Sequence, residues 1–165
     1  KVGIHFTEKL GLTRGGEMKT LIIYYSFHHG NTQKIAKVLA DELNAKIVKT
    51  EDQQTNNWDE YELIGFGSGI YNGKYHKSIM QLIEKLPAAK GQKAFVFSTS
   101  GGLRNYNKSL KEMLTAKGIQ IVGDFACKAF DAFGPLKLIG GLNKNRPNEE
   151  DYQKAREFAQ GLTFS

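Results

Sequence analysis

The sequence predicts an α/β protein with a five-stranded parallel sheet and helices on both of its faces. Short apolar segments alternate along the chain with longer segments in which apolar residues recur at helical spacing. Most of the short segments are continuously apolar, as in strands that are buried on both faces of a sheet. Several of them lead into loops rich in Gly and Ser. These features are typical of an open, doubly wound sheet, in which ligands bind beyond the carboxyl ends of the strands.

Five segments are predicted as strands from their apolar character and their β-forming residues. They are residues 21–25, 45–49, 63–67, 94–97 and a last strand that runs from residue 119 towards Cys127. The second segment is short and alternates between polar and apolar residues. In the third, Gly65 and Gly67 predict that another group approaches the backbone of a central strand closely.

Four helices are predicted from apolar residues at intervals of three and four. Their apolar faces run from Ile35 to Leu43, from Ile79 to Leu86, from Tyr106 to Leu114 and from Tyr152 to Leu162. Pro87 marks the end of the second helix, and Gly118 is placed to end the third in the left-handed conformation. Asn148 precedes three acidic residues, which suits the start of the fourth helix.

The length of 165 residues fits one domain with a substantial core. We expect residues 18–165 to form that single domain, because Met18 stands directly before the first predicted strand. Residues 1–17 show no sustained period, and we interpret them as a leader segment or disordered arm outside the fold. A native arm that adds an edge strand is the alternative.

The composition is typical of a globular protein, with 40% hydrophobic and 24% charged residues. The sequence contains neither a long apolar run nor the apolar core of a signal peptide, so we expect a cytoplasmic protein that does not act at a membrane. Cys127 is the single cysteine, which excludes an internal disulfide and favours a buried structural thiol.

The net charge is +6, and the basic residues are scattered along the sequence rather than gathered in a block. Without basic runs or aromatic residues interleaved with them, the sequence does not indicate nucleic-acid binding. A mild attraction to anionic small molecules or to acidic partner proteins fits this charge better.

Three loops that follow apolar strands are rich in Gly and Ser, and they comprise residues 26–32, 68–75 and 98–102. Loops at one edge of a parallel sheet form a ligand site. The first loop opens a helix, where free backbone N–H groups and the helix dipole favour an anion. Since Ser26, Asn31 and Thr32 can add side-chain donors, we predict that this loop binds a phosphate. The alternative is an ordinary strand-to-helix loop capped by Asn31.

Two common nucleotide-binding motifs are excluded. Residues 65–69 read Gly-Phe-Gly-Ser-Gly, without the final spacing of the dinucleotide fingerprint or the acidic residue that binds a ribose. A Walker A loop would need Gly at position 68 and Ser or Thr at position 75, where the chain has Ser68 and Tyr75. The sequence also shows no His and Cys residues at metal-ligand spacing and no catalytic triad.

From residue 18 to about residue 162 the chain resembles the flavodoxins. The first loop is similar to their phosphate loop, usually Ser/Thr-x-Thr-Gly-x-Thr, at Ser26, Gly30, Asn31 and Thr32. It departs from that pattern at His28 and His29, where one extra residue is also present. The resemblance implies the sheet order 2-1-3-4-5 and bound FMN, with its phosphate held by this loop. The two histidines are expected to add donors or charge near the phosphate, or to be solvated.

Two further loops resemble those that enclose the isoalloxazine ring in flavodoxin-like proteins. The second loop, which would line one side of the ring, comprises Ser68, Gly69, Ile70, Tyr71, Asn72, Gly73 and Lys74. The third loop, which would close the other side, comprises Ser98, Thr99, Ser100, Gly101 and Gly102. Tyr71, Tyr75 and Tyr106 are candidates for contact with the ring, and packing into the core is the alternative for Tyr75 and Tyr106.

Residues 128–147 are rich in Gly, Pro and Asn but contain embedded apolar residues. They resemble a segment of a subgroup of flavodoxin-like proteins. We expect this segment to pack under the last helix, and the alternatives are that it covers the flavin or docks a partner.

The resemblance implies an electron-transfer flavoprotein that takes electrons from a reductase or a ferredoxin-type donor and passes them to an unknown acceptor. In such a protein the cofactor carries the chemistry. The first alternative is an FMN-dependent oxidoreductase that uses NAD(P)H to act on a quinone, or that acts on a protoporphyrinogen-type compound. The second alternative is a non-flavin binding module on the same fold.

Overall fold

We describe a computed structural model of the chain, over residues 18–27, 29–52, 57–102, 104–132 and 134–163. The described residues form six strands, β1 (Thr20–Tyr25), β2 (Lys46–Lys49), β3 (Leu63–Tyr71), β4 (Lys74–Tyr75), β5 (Lys93–Ser100) and β6 (Gln120–Lys128). The α-helices are α1 (Asn31–Leu43), α2 (Lys77–Lys85), α3 (Lys108–Ala116) and α4 (Glu149–Thr163). Short 3₁₀ helices span Thr50–Asp52, Trp58–Glu60 and Gly134–Ile139. The predicted leader segment, residues 1–17, lies outside the described residues.

The main sheet has the order β2-β1-β3-β5-β6, and these five strands are parallel. This confirms the predicted order 2-1-3-4-5 for the parallel strands. The short strand β4 was not predicted, and it pairs antiparallel with the end of β3. Asn72 and Gly73 turn the chain between these two strands with φ of 50° and 75°. An Asn-Gly pair favours this turn, so the predicted second loop is a hairpin that extends the sheet.

Apolar layers cover both faces of the sheet, as predicted. In β1, Leu21 and Ile23 belong to the layer under α2 and α3, whereas Ile22 and Tyr24 belong to the layer under α1 and α4. Successive side chains of a strand point to opposite faces, so burial on both faces requires a continuous apolar run. Within the described ranges, every helix lacks either the length or the apolar character needed to span a bilayer.

The close approach predicted at Gly65 and Gly67 is made by aromatic rings of the neighbouring strand. Gly65 pairs with Phe95 and Gly67 pairs with Phe97 in the register of β3 and β5. A Cβ atom at either glycine would overlap the ring beside it. Both rings are fully buried in the layer under α1 and α4. These two glycines therefore serve the packing of the core rather than the ligand site.

We expect Gly67→Ala to lower the free energy of unfolding by about 1–3 kcal/mol, because the added methyl group overpacks the core. Gly161→Ala is the matched control, since a Cβ atom there has nothing within 4 Å and Gly161 lies inside α4. Ala is favoured over Gly in a helix interior, so the control should gain stability. Urea denaturation followed by circular dichroism measures both variants. A similar change in both would contradict the packing role of Gly67.

The predicted start of α4 at Asn148 is confirmed by reciprocal hydrogen bonds. The Asp151 amide donates to Asn148 Oδ1 at 3.2 Å, and the Asn148 amide donates to Asp151 Oδ2 at 2.9 Å. Arg146 Nη1 donates to the buried Asp151 carboxylate at 2.7 Å. The end of the segment 128–147 is therefore anchored to the first turn of a core helix.

Candidate functional site

A cavity of about 390 Å³ lies at the carboxyl edge of the parallel strands. It is lined by residues 31–32, 69–73, 99–102 and 129–131, and by Tyr106, Pro135 and Leu136. Its volume is in the range of small-molecule sites. A second cavity of about 670 Å³ lies at the opposite edge, near Trp58 and Lys90, and contains none of the predicted site residues. The smaller cavity is therefore the candidate site.

The predicted loops contribute unequally to this cavity. Asn31 and Thr32 of the first loop line it, together with Gly69, Ile70, Tyr71, Asn72 and Gly73 of the second and Thr99, Ser100, Gly101 and Gly102 of the third. Lys74 is exposed on β4 and does not line it. Ser68 and Ser98 are buried outside the lining. The Ser68 hydroxyl donates to the Gly69 carbonyl at 2.6 Å and accepts from the His76 amide at 3.2 Å, so it supports the hairpin.

The first loop turns the chain sharply between β1 and α1. His29 and Gly30 have φ of 55° and 64°. Ser26 Oγ accepts from the Gln33 amide in the first turn of α1 at 3.4 Å. Gly30 is the N-cap residue and Asn31 is the first residue of the helix, so the alternative of a cap formed by Asn31 is wrong. His28 lies outside the described residues.

Asn31 has a buried acceptor that no group in the described part of the protein satisfies. Its Nδ2 donates to the Phe130 carbonyl at 2.9 Å, which orients the amide and leaves Oδ1 without a donor. The residue is 7% exposed and lines the cavity. Leaving such an atom unsatisfied costs about 1–3 kcal/mol. Oδ1 therefore indicates a ligand with a hydroxyl or N–H donor, which a phosphate dianion cannot supply.

Thr32 and Thr99 join the first loop to the third. Their hydroxyl oxygens are 2.8 Å apart, and both residues are buried in the cavity wall. One hydroxyl donates within this pair, so the other retains its hydrogen for a second acceptor. The pair thus offers one hydroxyl donor beside the start of α1.

Tyr71 joins the first loop to the second. Its hydroxyl accepts from the Phe27 amide at 3.3 Å, and its ring lies close to Gly69. The Tyr25 ring meets it edge-on with centroids 6.0 Å apart. Burial raises the pKa of the Tyr71 hydroxyl, which therefore stays protonated near neutral pH. The hydroxyl lies against the predicted phosphate loop, and the residue lines the cavity.

The other two candidate tyrosines divide between the core and the cavity. The Tyr75 hydroxyl is buried and donates to Asn107 Oδ1 at 2.6 Å, and burial raises its pKa strongly. Asn107 in turn donates to the Phe125 carbonyl at 3.0 Å. Tyr106, the residue before Asn107, lines the cavity. Tyr75 thus packs into the core. Its hydrogen bonds through Asn107 to the Phe125 carbonyl form a buried polar network beneath the third loop, and no sequence pattern predicted this network.

The segment 128–147 forms another wall of the cavity. Phe130, Asp131, Pro135 and Leu136 line it, although sequence reasoning did not include these residues in the site. Asn143 Nδ2 donates to the Gly101 carbonyl at 3.1 Å and to the Ala129 carbonyl at 3.2 Å, which ties this segment to the third loop. The signal available in the sequence was the number of apolar residues in a Gly- and Pro-rich stretch. The segment thus lines the ligand cavity, while its end at Arg146 is bound to the first turn of α4, the helix under which it was expected to pack.

A family model described as "Flavodoxin domain" matches residues 21–130. The chain belongs to the flavodoxin family. An uncharacterized protein of Methanocaldococcus jannaschii is 50% identical over 148 residues, which cover 88% of this chain and 98% of that protein. Oxidised Flavodoxin 2 from Bacillus cereus has a similar structure, with a TM-score of 0.69 and 21% identity over 88% of this chain and 98% of that chain. A flavoprotein from Lactobacillus acidophilus in complex with FMN gives a TM-score of 0.53 and 21% identity over 66% and 93% of the two chains.

The cavity of this flavodoxin-family chain fits the chemical groups of FMN. The start of α1 provides backbone N–H groups and a helix dipole for a phosphate. Asn31 Oδ1 needs a donor, and a ribityl chain carries hydroxyl donors. Tyr106 and Phe130 offer aromatic surface in the same cavity for a planar ring. The buried orphan acceptor is the most specific of these features, because an apolar or purely anionic ligand would leave it unsatisfied.

Basic residues gather at the site edge of this flavodoxin domain. Residues 72–77, 101–108 and 128–147 lie at or directly after the carboxyl ends of β3, β5 and β6, and together they contain eight basic residues and one acidic residue. The basic residues are Lys74, Lys77, Arg104, Lys108, Lys128, Lys137, Lys144 and Arg146, and the acidic residue is Asp131. The basic residues therefore concentrate at the ends of β3, β5 and β6, whereas the acidic residues Glu51 and Asp52 follow β2 at the same edge. The site edge therefore attracts anions.

Cys127 was predicted to be a buried thiol, and the structure places it half-buried at the end of β6. Burial raises the pKa of its thiol to about 12, so the thiol stays protonated at neutral pH. In the part of the chain that the structure describes, no group of three His, Cys, Asp or Glu side chains is placed to hold a metal ion.

Proposed function

We propose that this flavodoxin-family chain is an electron-transfer protein that binds FMN in the cavity at the carboxyl edge of its sheet. The observation that carries the proposal is the buried, unsatisfied Asn31 Oδ1 in that cavity, beside the start of α1. The family membership and the FMN complex of a similar flavoprotein support the same ligand.

The phosphate is assigned to the first loop. Backbone N–H groups at the start of α1 point outwards there without helical partners. The hydroxyl hydrogen left over in the Thr32 and Thr99 pair adds a side-chain donor. The residues assigned to this subsite are Ser26, His28, His29, Gly30, Asn31 and Thr32. Asn31 Oδ1 is assigned to a ribityl hydroxyl, since it can only accept.

The isoalloxazine ring is assigned to the space between the hairpin and the third loop. We assign one side of the ring to Ile70, Tyr71, Asn72 and Gly73 and the other to Thr99, Ser100, Gly101 and Gly102, all of which line the cavity. Tyr106 and Phe130 complete the aromatic surface. Ser68 and Ser98 act from behind these loops, and Lys74 adds positive charge at the rim.

Bound FMN supplies one- and two-electron redox chemistry, while the protein positions it and sets its electrostatics. We assign the donor to a reductase or a ferredoxin-type protein, and the acceptor to a further redox partner. A single cysteine leaves the chain without an internal disulfide, as is usual in the reducing cytoplasm, where we place this carrier.

The visible spectrum of the purified protein tests the proposal most directly. We expect flavin absorbance, either as purified or after addition of FMN, and FMN as the extracted cofactor by chromatography. Colourless protein that takes up no FMN would favour the non-flavin binding module. Rapid steady-state oxidation of NADPH with a quinone acceptor would favour the oxidoreductase over the carrier.

A further inference from the structure

We infer that the exposed apolar residues beside the cavity dock an acidic partner protein. We name this the Leu138 surface, and it consists of Lys137, Leu138, Ile139, Leu142 and Lys144. The inference rests on the proposed function, because it gives the chemistry of the redox partner that such a carrier needs.

The Leu138 surface is the main apolar exposure in the described part of the chain. Leu138 is 91% exposed, Ile139 69% and Leu142 41%. The other large apolar side chain exposed among the described residues is Phe27, which lies on the first loop at the same edge of the sheet. Single exposed apolar residues are common, but a group of them beside a ligand cavity indicates an interaction site.

Backbone hydrogen bonds hold the Leu138 surface in place. Leu142 and Asp131 exchange two backbone hydrogen bonds, at 2.7 and 3.0 Å, and the Gly141 amide donates to the Leu136 carbonyl at 2.8 Å. Asp131 and Leu136 line the cavity, so the surface is braced against the cavity wall. In the same short helix, Leu136 lines the cavity while Leu138 and Ile139 are open to solvent. A partner seated there would lie directly beside the candidate cofactor site.

The charge around the apolar centre determines the kind of partner. Lys137 and Lys144 are exposed, and neither forms an ion pair with any of the described residues. Two basic residues of α4 are paired, in contrast to Lys137 and Lys144. Lys154 forms an ion pair with Glu150, and Arg156 forms one with Glu149. An apolar centre with unpaired cations at its rim is complementary to a surface with an apolar centre and carboxylates around it.

Two other occupants fit less well. A second copy of the chain would bring like charges together, since a two-fold contact places the same basic patch on both sides. A lipid surface is bound stably by a longer amphipathic helix or by several anchors, whereas this helix spans only Gly134–Ile139. The acidic protein is therefore the occupant we propose.

The test measures binding of an oxidised, acidic ferredoxin to the full chain by isothermal titration calorimetry at low salt. One variant, Leu138→Ser with Ile139→Ser, removes the apolar centre, and another, Lys137→Glu with Lys144→Glu, reverses the rim charge. The control, Lys37→Glu with Lys90→Glu, makes the same change in net charge at exposed lysines outside the surface. Circular dichroism checks that each variant is folded.

We expect the wild type to bind the ferredoxin, with affinity that falls as salt rises. Each pair of changes in the Leu138 surface should raise the Kd by about tenfold or more, and the control pair by less than about twofold. The proposal is overturned if the ferredoxin does not bind at low salt, or if the control pair matches the surface pairs. Binding to phosphatidylglycerol vesicles that the serine pair abolishes would assign the surface to a membrane instead. Dimerisation that this pair abolishes would assign it to a second copy.

The titration is made with both FMN-loaded and FMN-free protein. Docking on this surface needs no flavin, so ferredoxin binding is expected in both forms. A colourless protein that still binds the ferredoxin would reject the proposed cofactor while retaining the docking surface. A yellow protein that binds no ferredoxin would retain the proposed cofactor and reject the docking surface.

Discussion

Asn31→Ala is expected to raise the Kd for FMN by about tenfold or more, because it removes a buried side-chain acceptor in the cavity that lacks a donor among the described residues. In the FMN-free protein the same change should alter the free energy of unfolding little. It removes the hydrogen bond to the Phe130 carbonyl, but it also removes a buried atom whose desolvation is uncompensated. Titration with FMN, followed by flavin fluorescence, and urea denaturation of the FMN-free protein measure the two effects.

Asn143→Ala is the matched control for this prediction. Asn143 also donates to backbone carbonyls of the cavity wall, but it does not line the cavity. Its φ of 53° suits Asn better than Ala, so we expect its loss to lower the free energy of unfolding by about 1–3 kcal/mol. The control should therefore affect stability more than FMN affinity, the reverse of Asn31→Ala. Unchanged FMN affinity in Asn31→Ala would show that this residue has only a structural role.

The midpoint potential of bound FMN is expected to be less negative than in acidic flavodoxins. Positive charge stabilises the reduced, anionic flavin, and residues 72–77, 101–108 and 128–147 have eight basic residues against one acidic residue. One unit charge at roughly 10 Å, with an effective dielectric constant of about 20, contributes about 1.7 kcal/mol, or about 70 mV for a one-electron couple. Screening by solvent and salt reduces this value for exposed lysines.

Charge reversal at the rim tests the sign of this effect. Lys137→Glu with Lys144→Glu should make the potential more negative by tens of millivolts, because carboxylates disfavour the anionic ring. Lys37→Glu with Lys90→Glu changes the net charge by the same amount, but at lysines outside the Leu138 surface. It should therefore shift the midpoint potential less. Potentiometric titration of the FMN-loaded proteins gives these values. A wild-type potential as low as that of acidic flavodoxins would reject the prediction.

Local patterns in the sequence were enough to predict the parallel sheet and the edge at which the loops meet, whereas the strand order followed from the resemblance to the flavodoxins. The continuous apolar segment at residues 21–25 matches a strand that is buried on both faces, and Gly118 has the φ of 82° expected at a helix end. The hairpin at Asn72 and Gly73 was missed although its signal was present. The same stretch also has the Gly and Ser content of a ligand loop.

The chemistry of individual side chains could not be predicted in the same way. Asn31 donates to a carbonyl that is 99 residues away, and the Tyr75 hydroxyl binds Asn107 from another loop. Ser68 and Ser98 have the same composition signal as the lining residues but are buried behind them. Whether a hydroxyl faces a ligand or the protein depends on partners that are close only after folding.

The sequence by itself determined the fold class, because strand and helix periodicity depend on residues that are near one another in the chain. It also determined that polar loops would collect at one edge, since parallel strands share their direction. Only the tertiary structure decided which groups remain unsatisfied in the cavity, which tyrosine enters the core and where the basic charge concentrates. Those properties depend on distances between segments far apart in sequence, and no local pattern encodes such distances.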